Sequence, residues 1–172
     1  MGGGLMAIKL MSRSPEATAK LGEIIGEHLR GGVLVLLMGE LGAGKTVFAK
    51  GLGRGLGVTG EITSPSFNLM LRYQGRICFD HWDLYRMECL GDDEEFLESV
   101  YDGESVTAVE WGEKVKPRPD VPTLTVEFRF GECDDKTRII RLEGNAEIMA
   151  ELSGYILNGM QTDENTCDRH CF

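Results

Sequence analysis

Eight residues constrain this chain more than any other stretch. Gly39-Glu40-Leu41-Gly42-Ala43-Gly44-Lys45-Thr46 has the form G-x(4)-G-K-[ST]. Three glycines in so short a run let backbone N–H groups turn inward and cradle a phosphate, and a helix starting at the end of the run adds the positive end of its dipole. Lys45 is then placed to reach the β- and γ-phosphate oxygens as a point charge, and the Thr46 hydroxyl to ligate Mg²⁺. The flanks agree. Val33 to Met38 is a continuous apolar run, suited to a strand buried on both faces. Past the loop, Phe48, Ala49, Leu52 and Leu56 recur at helical spacing. Gly39 to Thr46 are therefore the expected nucleotide-binding residues, with Lys45 also catalytic. No N-K-x-D or D-x-x-G follows to read guanine, so ATP is expected rather than GTP. "GLGRGLG", just downstream, lacks the G-x-G-x-x-G spacing of a dinucleotide loop.

The remaining elements follow from periodicity and punctuation. Ser14-Pro15-Glu16 starts a helix: a cap, a proline at its first position and an acid near the positive end of the dipole. Ala17, Leu21, Ile24, Ile25 and Leu29 form its apolar stripe. Phe67, Leu69, Leu71 and Tyr73 alternate, "QGR" turns, and Ile77, Phe79 and His81 resume, which predicts a hairpin. A short helix is expected in "DDEEFLESVYD", a strand in "VTAVEW", and a second hairpin from Leu124 through Ile140 around "GECDD". Asn145 caps a last helix. The four glycines Gly51, Gly53, Gly55 and Gly57 predict that the helix after the loop either frays or packs very close to a neighbour. The fold class is α/β: a P-loop NTPase-like, mostly parallel sheet flanked by helices, with antiparallel hairpin strands at the edges. Residues 1–157 are expected to form a single domain, and 158–172 a loose tail.

Charge narrows the partners. The net charge is −10, and Glu88 to Glu104 carries eight acids and no base. Such a surface repels a phosphate backbone, so autonomous nucleic-acid binding is not expected, whereas a basic protein partner would be attracted. Five scattered cysteines read as reduced thiols. "CDRHC" near the end lacks the second half of a zinc site. No run approaches a membrane span, and a cytoplasmic location is expected.

Phosphoryl chemistry needs an acid at the end of a neighbouring strand. Three candidates follow apolar segments: Asp80 after "ICF", Asp83 three residues on, and Glu110 after "VTAV". Apolar-run-then-acid patterning ranks Asp80 first, with Asp83 as a cap for the next segment and Glu110 as a plain strand end. No arginine near the loop in sequence stands out as a finger in cis, a group worth ~10³–10⁵ in rate. A small-molecule kinase of similar size remains as an alternative, but no arginine-bearing lid follows Trp111. A nucleotide-dependent switch without essential hydrolysis is the other alternative.

"GELGAGKT", "TSPSFNL", "HWDLYR" and "VEW", in this order and spacing, resemble the bacterial TsaE (YjeE) family over about Ser14 to Glu143. These are small P-loop ATPases of tRNA threonylcarbamoyladenosine (t6A) synthesis. The resemblance implies Asp83, not Asp80, as the Walker B-like acid, and Glu110 with Trp111 as the family's Glu-Trp motif. It implies metal binding by Thr46, Glu110 and Asp83, a switch segment at Ser64, Pro65 and Ser66, and Thr18 near the nucleoside. It further implies weak ATP hydrolysis with Mg²⁺, in support of the threonylcarbamoyl transferase TsaD and its partner TsaB acting on adenosine 37 of tRNA. Ser66 stands where the family usually has Thr, and Trp82 where it often has Phe. Lys136 and Arg138 lie near the family's late basic residues, although a solvated strand face is the simpler expectation for them.

Overall fold

The computed structural model describes residues 6–65, 68–87, 98, 100–132 and 134–160. Its elements are β1 (Met6–Ser12), α1 (Pro15–His28), β2 (Val33–Met38), α2 (Lys45–Gly55), β3 (Met70–Tyr73), β4 (Phe79–Asp83), β5 (Val106–Glu110), a 3₁₀ turn (Gly112–Lys114), β6 (Thr123–Phe130), β7 (Arg138–Gly144) and α3 (Ala146–Gly159). The caps are those the side chains dictate. The Ser14 hydroxyl accepts from the Ala17 N–H, and the Asn145 amide oxygen from the Ile148 N–H.

The strands form one sheet in the order β1-β7-β6-β2-β5-β4-β3. The parallel character belongs to the centre, where β6, β2, β5 and β4 run together. Both edges are antiparallel, with β6–β7–β1 on one side and β4–β3 on the other. The expected antiparallel strands at the edges are present, and the sheet as a whole is mixed. The β3–β4 and β6–β7 links are too short for a crossover, so each can only reverse the chain. β1 was not expected. Its outer residues are half-exposed, and it pairs with β7 alone, so its alternation is weak. α3 runs two residues past the expected domain end at 157, and Met160 after it is buried. Most of the expected helix in "DDEEFLESVYD", Ser66, and the 161–172 tail lie outside the described residues.

β2 is buried on both faces and divides the core. Val35 and Leu37 pack with Leu21, Ile25, Phe48, Leu52 and the α3 residues Met149 and Leu152. Leu34 and Leu36 pack on the other face with Trp82, Val109, Val115 and Val121. The glycines of α2 press it against α1. A Cβ on Gly51 would lie 1.9 Å from the Ala19 carbonyl oxygen, and one on Gly26 would lie 2.3 Å from that of Leu52. Of the two outcomes expected for this helix, close packing holds: it is pressed backbone to backbone. Gly51→Ala is expected to destabilise the fold by at least ~1–3 kcal/mol, since the obstructing atom is main chain and cannot rotate away. A denaturant midpoint equal to wild type would contradict this.

Candidate nucleotide site

The parallel strands β2, β5 and β4 end together, and their register sets the site. Leu37, Glu110 and Asp83 form one row across the three strands, above Val35, Ala108 and His81 and then Val33, Val106 and Phe79. These rows face α2: a Cβ on Gly53 would touch the Phe79 ring. The carboxyl ends of parallel strands are where open α/β sheets hold ligands. Glu110 and Asp83 are therefore neighbours at that edge, on the side where the glycine-rich loop leads into α2.

The loop conformation needs its glycines. Gly39, Gly42 and Gly44 all take positive φ, at 139°, 76° and 107°. Gly39 also abuts the backbone of β6, where a Cβ would lie 2.6 Å from the Phe128 carbonyl oxygen. Lys45 is buried and folded back on the loop. Its ammonium donates to the carbonyls of Gly39 at 2.5 Å and Glu40 at 2.8 Å, and lies 4.1 Å from the centre of the Trp111 ring. Burial pushes its pKa below the ordinary lysine value, against the opposing pull of Glu110, Glu113 and Asp83.

The Thr46 hydroxyl donates to both Glu110 oxygens, at 2.8 and 3.0 Å. His81 Nε2 lies 2.9 Å from Glu110 Oε1. Asp83 Oδ2 accepts from the Ser64 hydroxyl at 3.2 Å, and Oδ1 from the Tyr85 N–H at 3.0 Å. Pro65 accepts the Asn68 N–H. The sequence-predicted residues Lys45, Thr46, Glu110, Asp83, Ser64 and Trp111 thus converge, with the direct Thr46 contact going to Glu110. One hydroxyl and two carboxylates make an all-oxygen donor set, which suits a hard cation such as Mg²⁺. Among the described residues no three His, Cys, Asp or Glu side chains cluster as a metal cage. A cation that keeps waters and phosphate oxygens needs none.

Asp80, first in the sequence ranking, points to the opposite face. It takes a bidentate ion pair from Arg72, at 2.6 Å to each oxygen. Arg72 reaches on to Asp102. Burial pushes Asp102 upward, but N–H donors from Ser105 and Glu104, the Ser105 hydroxyl and Arg72 outweigh it and bring it to about 2. Asp80 belongs to a structural clasp on β3.

On its other flank the loop meets α1 and β7. A Cβ on Gly44 would touch the Thr18 methyl, and the Thr18 hydroxyl is anchored to Ser12 at 2.8 Å. A hollow of about 130 Å³ lies here, lined by Thr18, Gly44, Val47, Lys136 and Arg138. A second, of about 180 Å³, is lined by Leu41, Lys45, Thr46 and Glu110. Gly42, Gly44 and Val47 border both. Arg138 is not on a solvated face: its guanidinium donates to the Gly42 and Ala43 carbonyls, at 3.2 Å each. A further hollow, about 560 Å³ between α1 and α2, is lined by none of the motif acids.

The sequence model described as "Threonylcarbamoyl adenosine biosynthesis protein TsaE" matches residues 12–140. The chain belongs to the TsaE family. It is 41% identical over 143 residues to the tRNA threonylcarbamoyladenosine biosynthesis protein TsaE of Treponema pallidum, covering 82% of this chain and 98% of that protein. It is 30% identical to that of Bacillus subtilis, covering 80% and 87%. The crystal structure of Bacillus subtilis YdiB aligns with a TM-score of 0.70 at 28% identity, over 91% of this chain and 98% of that one.

Sequence reasoning left three members of this TsaE-family site without a task. His81 carried a usable signal, since it shares strand parity with Asp83. Arg138 carried a signal in the family resemblance, against which a solvated strand face was the simpler expectation, and Lys114 carried none. Lys114 donates to the Leu84, Tyr85 and Met87 carbonyls, which ties the 3₁₀ turn to the segment after Asp83. Because Lys45 rests on Trp111, an anion that draws the lysine away is expected to change Trp111 emission. In a Trp82→Phe background, pyrophosphate should shift that emission and Lys45→Ala should abolish the shift. An identical response in Lys45→Ala would refute it.

Proposed function

We propose that this chain binds and hydrolyses ATP with Mg²⁺, and that it does so in t6A biosynthesis, the process for which the family is named. The observation that carries the reading is the Thr46–Glu110 contact beside Lys45, at the carboxyl edge of parallel strands. It joins the hydroxyl of the G-x(4)-G-K-[ST] loop to a strand-end acid, as a phosphate-and-metal site requires. The loop is P-loop-like, and the enclosing fold is read as that of a P-loop ATPase.

In this reading the N–H groups of Gly42 to Thr46 hold the phosphates. Lys45 exchanges the Gly39 and Glu40 carbonyls for phosphate oxygens, so it enters as a preplaced donor. Thr46, Glu110 and Asp83 would hold Mg²⁺, which when bound neutralises charge on the β- and γ-phosphates. Asp83 and Glu110 orient the attacking water and take its proton. Thr18, Lys136 and Arg138 frame the nucleoside end. TsaD and TsaB are the partners the family resemblance implies. Arg138 is already engaged with loop carbonyls, so a stimulating group is expected from the partner side. The setting is cytoplasmic, and no described helix is long and apolar enough to cross a membrane.

A switch reading has one observation in its favour: the Ser64 hydroxyl bonds Asp83, so a change at the acid can be felt at Ser64. The experiment separates the two. Asp83→Asn and Glu110→Gln should each lower ATP hydrolysis by ~10²–10⁴-fold, retain ATP binding, and lose t6A formation in a reconstituted reaction with TsaD and TsaB. Sustained t6A formation without hydrolysis would favour the switch. An unchanged hydrolysis rate in both variants would remove the ATPase assignment.

A further inference from the structure

Glu110 has a partner that neither the loop motif nor the proposed hydrolysis employs. His81 is fully buried, in the middle of β4. Its register partner on β5 is Ala108, whose small side chain leaves the imidazole room to lean along the sheet face toward Glu110, two residues on. The ring stacks on Phe79 with centroids 5.8 Å apart and planes 19° apart. Phe79 stacks in turn on Tyr73. The imidazole is thus clamped below while its Nε2 stands 2.9 Å from Glu110 Oε1.

The surroundings select the tautomer. An ionised carboxylate only accepts hydrogen bonds, so Nε2 must carry the proton for this contact to attract. Among the described residues, His81 Nδ1 is buried without a partner. A proton on Nδ1 would leave an N–H stranded there, and in the other neutral tautomer it would also set two acceptors face to face. An unpaired ring lone pair is the least costly arrangement, so the geometry selects Nε2–H directed at Glu110.

Glu110 in turn receives the single proton of the Thr46 hydroxyl, shared between its two oxygens. While Glu110 takes that proton, the two lone pairs of the hydroxyl oxygen are directed away from the carboxylate. We propose that His81 is a positioning residue, whose Nε2–H fixes the Glu110 carboxylate in the orientation that receives the Thr46 proton and leaves the Thr46 oxygen open to a cation. The inference rests on the hydrolytic reading of the site. Partners that orient a metal-associated carboxylate are typically worth ~10–100-fold in metal affinity or activity.

The test uses the full chain in three measurements. In the metal-free protein, long-range ¹H–¹⁵N spectra report the tautomer of each of the three histidines. His81 is expected as Nε2–H, and its shifts should move in Glu110→Gln. Second, His81→Leu should lower ATP hydrolysis ~10–100-fold and raise the Mg²⁺ needed for half-maximal rate, with ATP affinity in EDTA unchanged. His81→Gln, whose amide nitrogen stands near the place of Nε2, should restore most of the rate. Third, His81→Leu should add little to Glu110→Gln. An Nδ1–H tautomer overturns the proposal. So does a folded His81→Leu with wild-type rate and Mg²⁺ requirement, or a folded His81→Gln as impaired as His81→Leu. Should His81→Leu fail to fold, His81→Gln decides: near-wild-type hydrolysis supports the proposal and its loss overturns it. Absence of hydrolysis in the wild-type chain with its partners would remove the hydrolytic reading instead, while the tautomer would still decide the His81–Glu110 contact.

Discussion

A carboxylate buried at the end of a central strand organises this molecule. Glu110 is 4% exposed. An ionised group so far from water costs several kcal/mol unless donors surround it. The donors come from two separate stretches of chain, Thr46 at the start of α2 and His81 from β4, and the Lys45 ammonium beside Thr46 adds its field. Satisfying one acid therefore docks the glycine-rich loop on the sheet and aligns β4 beside β5. The same alignment places Asp83 next to Glu110 without any contact of its own to Thr46 being required.

The lysine shows how such a site is held ready. Its ammonium is already bonded to two loop carbonyls and capped by Trp111. Under the proposed function, an arriving phosphate would exchange those bonds for its own and would not have to order a free side chain. Trp111 holds its position in a left-handed backbone conformation, φ 62°, that is costly for a large side chain. The surrounding ring of Tyr85 and the Lys114 bonds to the segment after Asp83 over-determine it. Strain of this kind concentrates where function needs one geometry.

Helix packing completes the cradle from behind. Glycines on both α1 and α2 remove the side chains that would separate them, so Thr18 arrives within van der Waals reach of Gly44. The Thr18 hydroxyl is turned away to Ser12, which leaves its methyl toward the loop. Arg138, from the far hairpin, closes the remaining side through the Gly42 and Ala43 carbonyls. A chain with a net charge of −10 thereby concentrates Lys45, Lys136 and Arg138 around one loop.

Short-range order was legible in the residues themselves. The loop, its flanking strand and helix, the Ser14 and Asn145 caps and both hairpins follow from patterns that local sterics and hydrogen bonding enforce over a few positions. Asp80 was the natural first choice among the acids for the same reason: it directly follows an apolar run. Strand parity separates Asp80 from Asp83 but does not say which face meets the loop. The register of β2, β5 and β4 decides that, because it turns Phe79, His81 and Asp83 toward α2 and leaves Asp80 to Arg72. The weak edge strand β1, the contact of Arg138 with the loop and the pairing of His81 with Glu110 likewise exist only in three dimensions. Each joins residues tens of positions apart; periodicity along the chain gives the face a residue shares, as for His81, but not the partner it meets there. The sequence determined which chemistry this protein carries, and the tertiary structure decided which side chains share one buried charge.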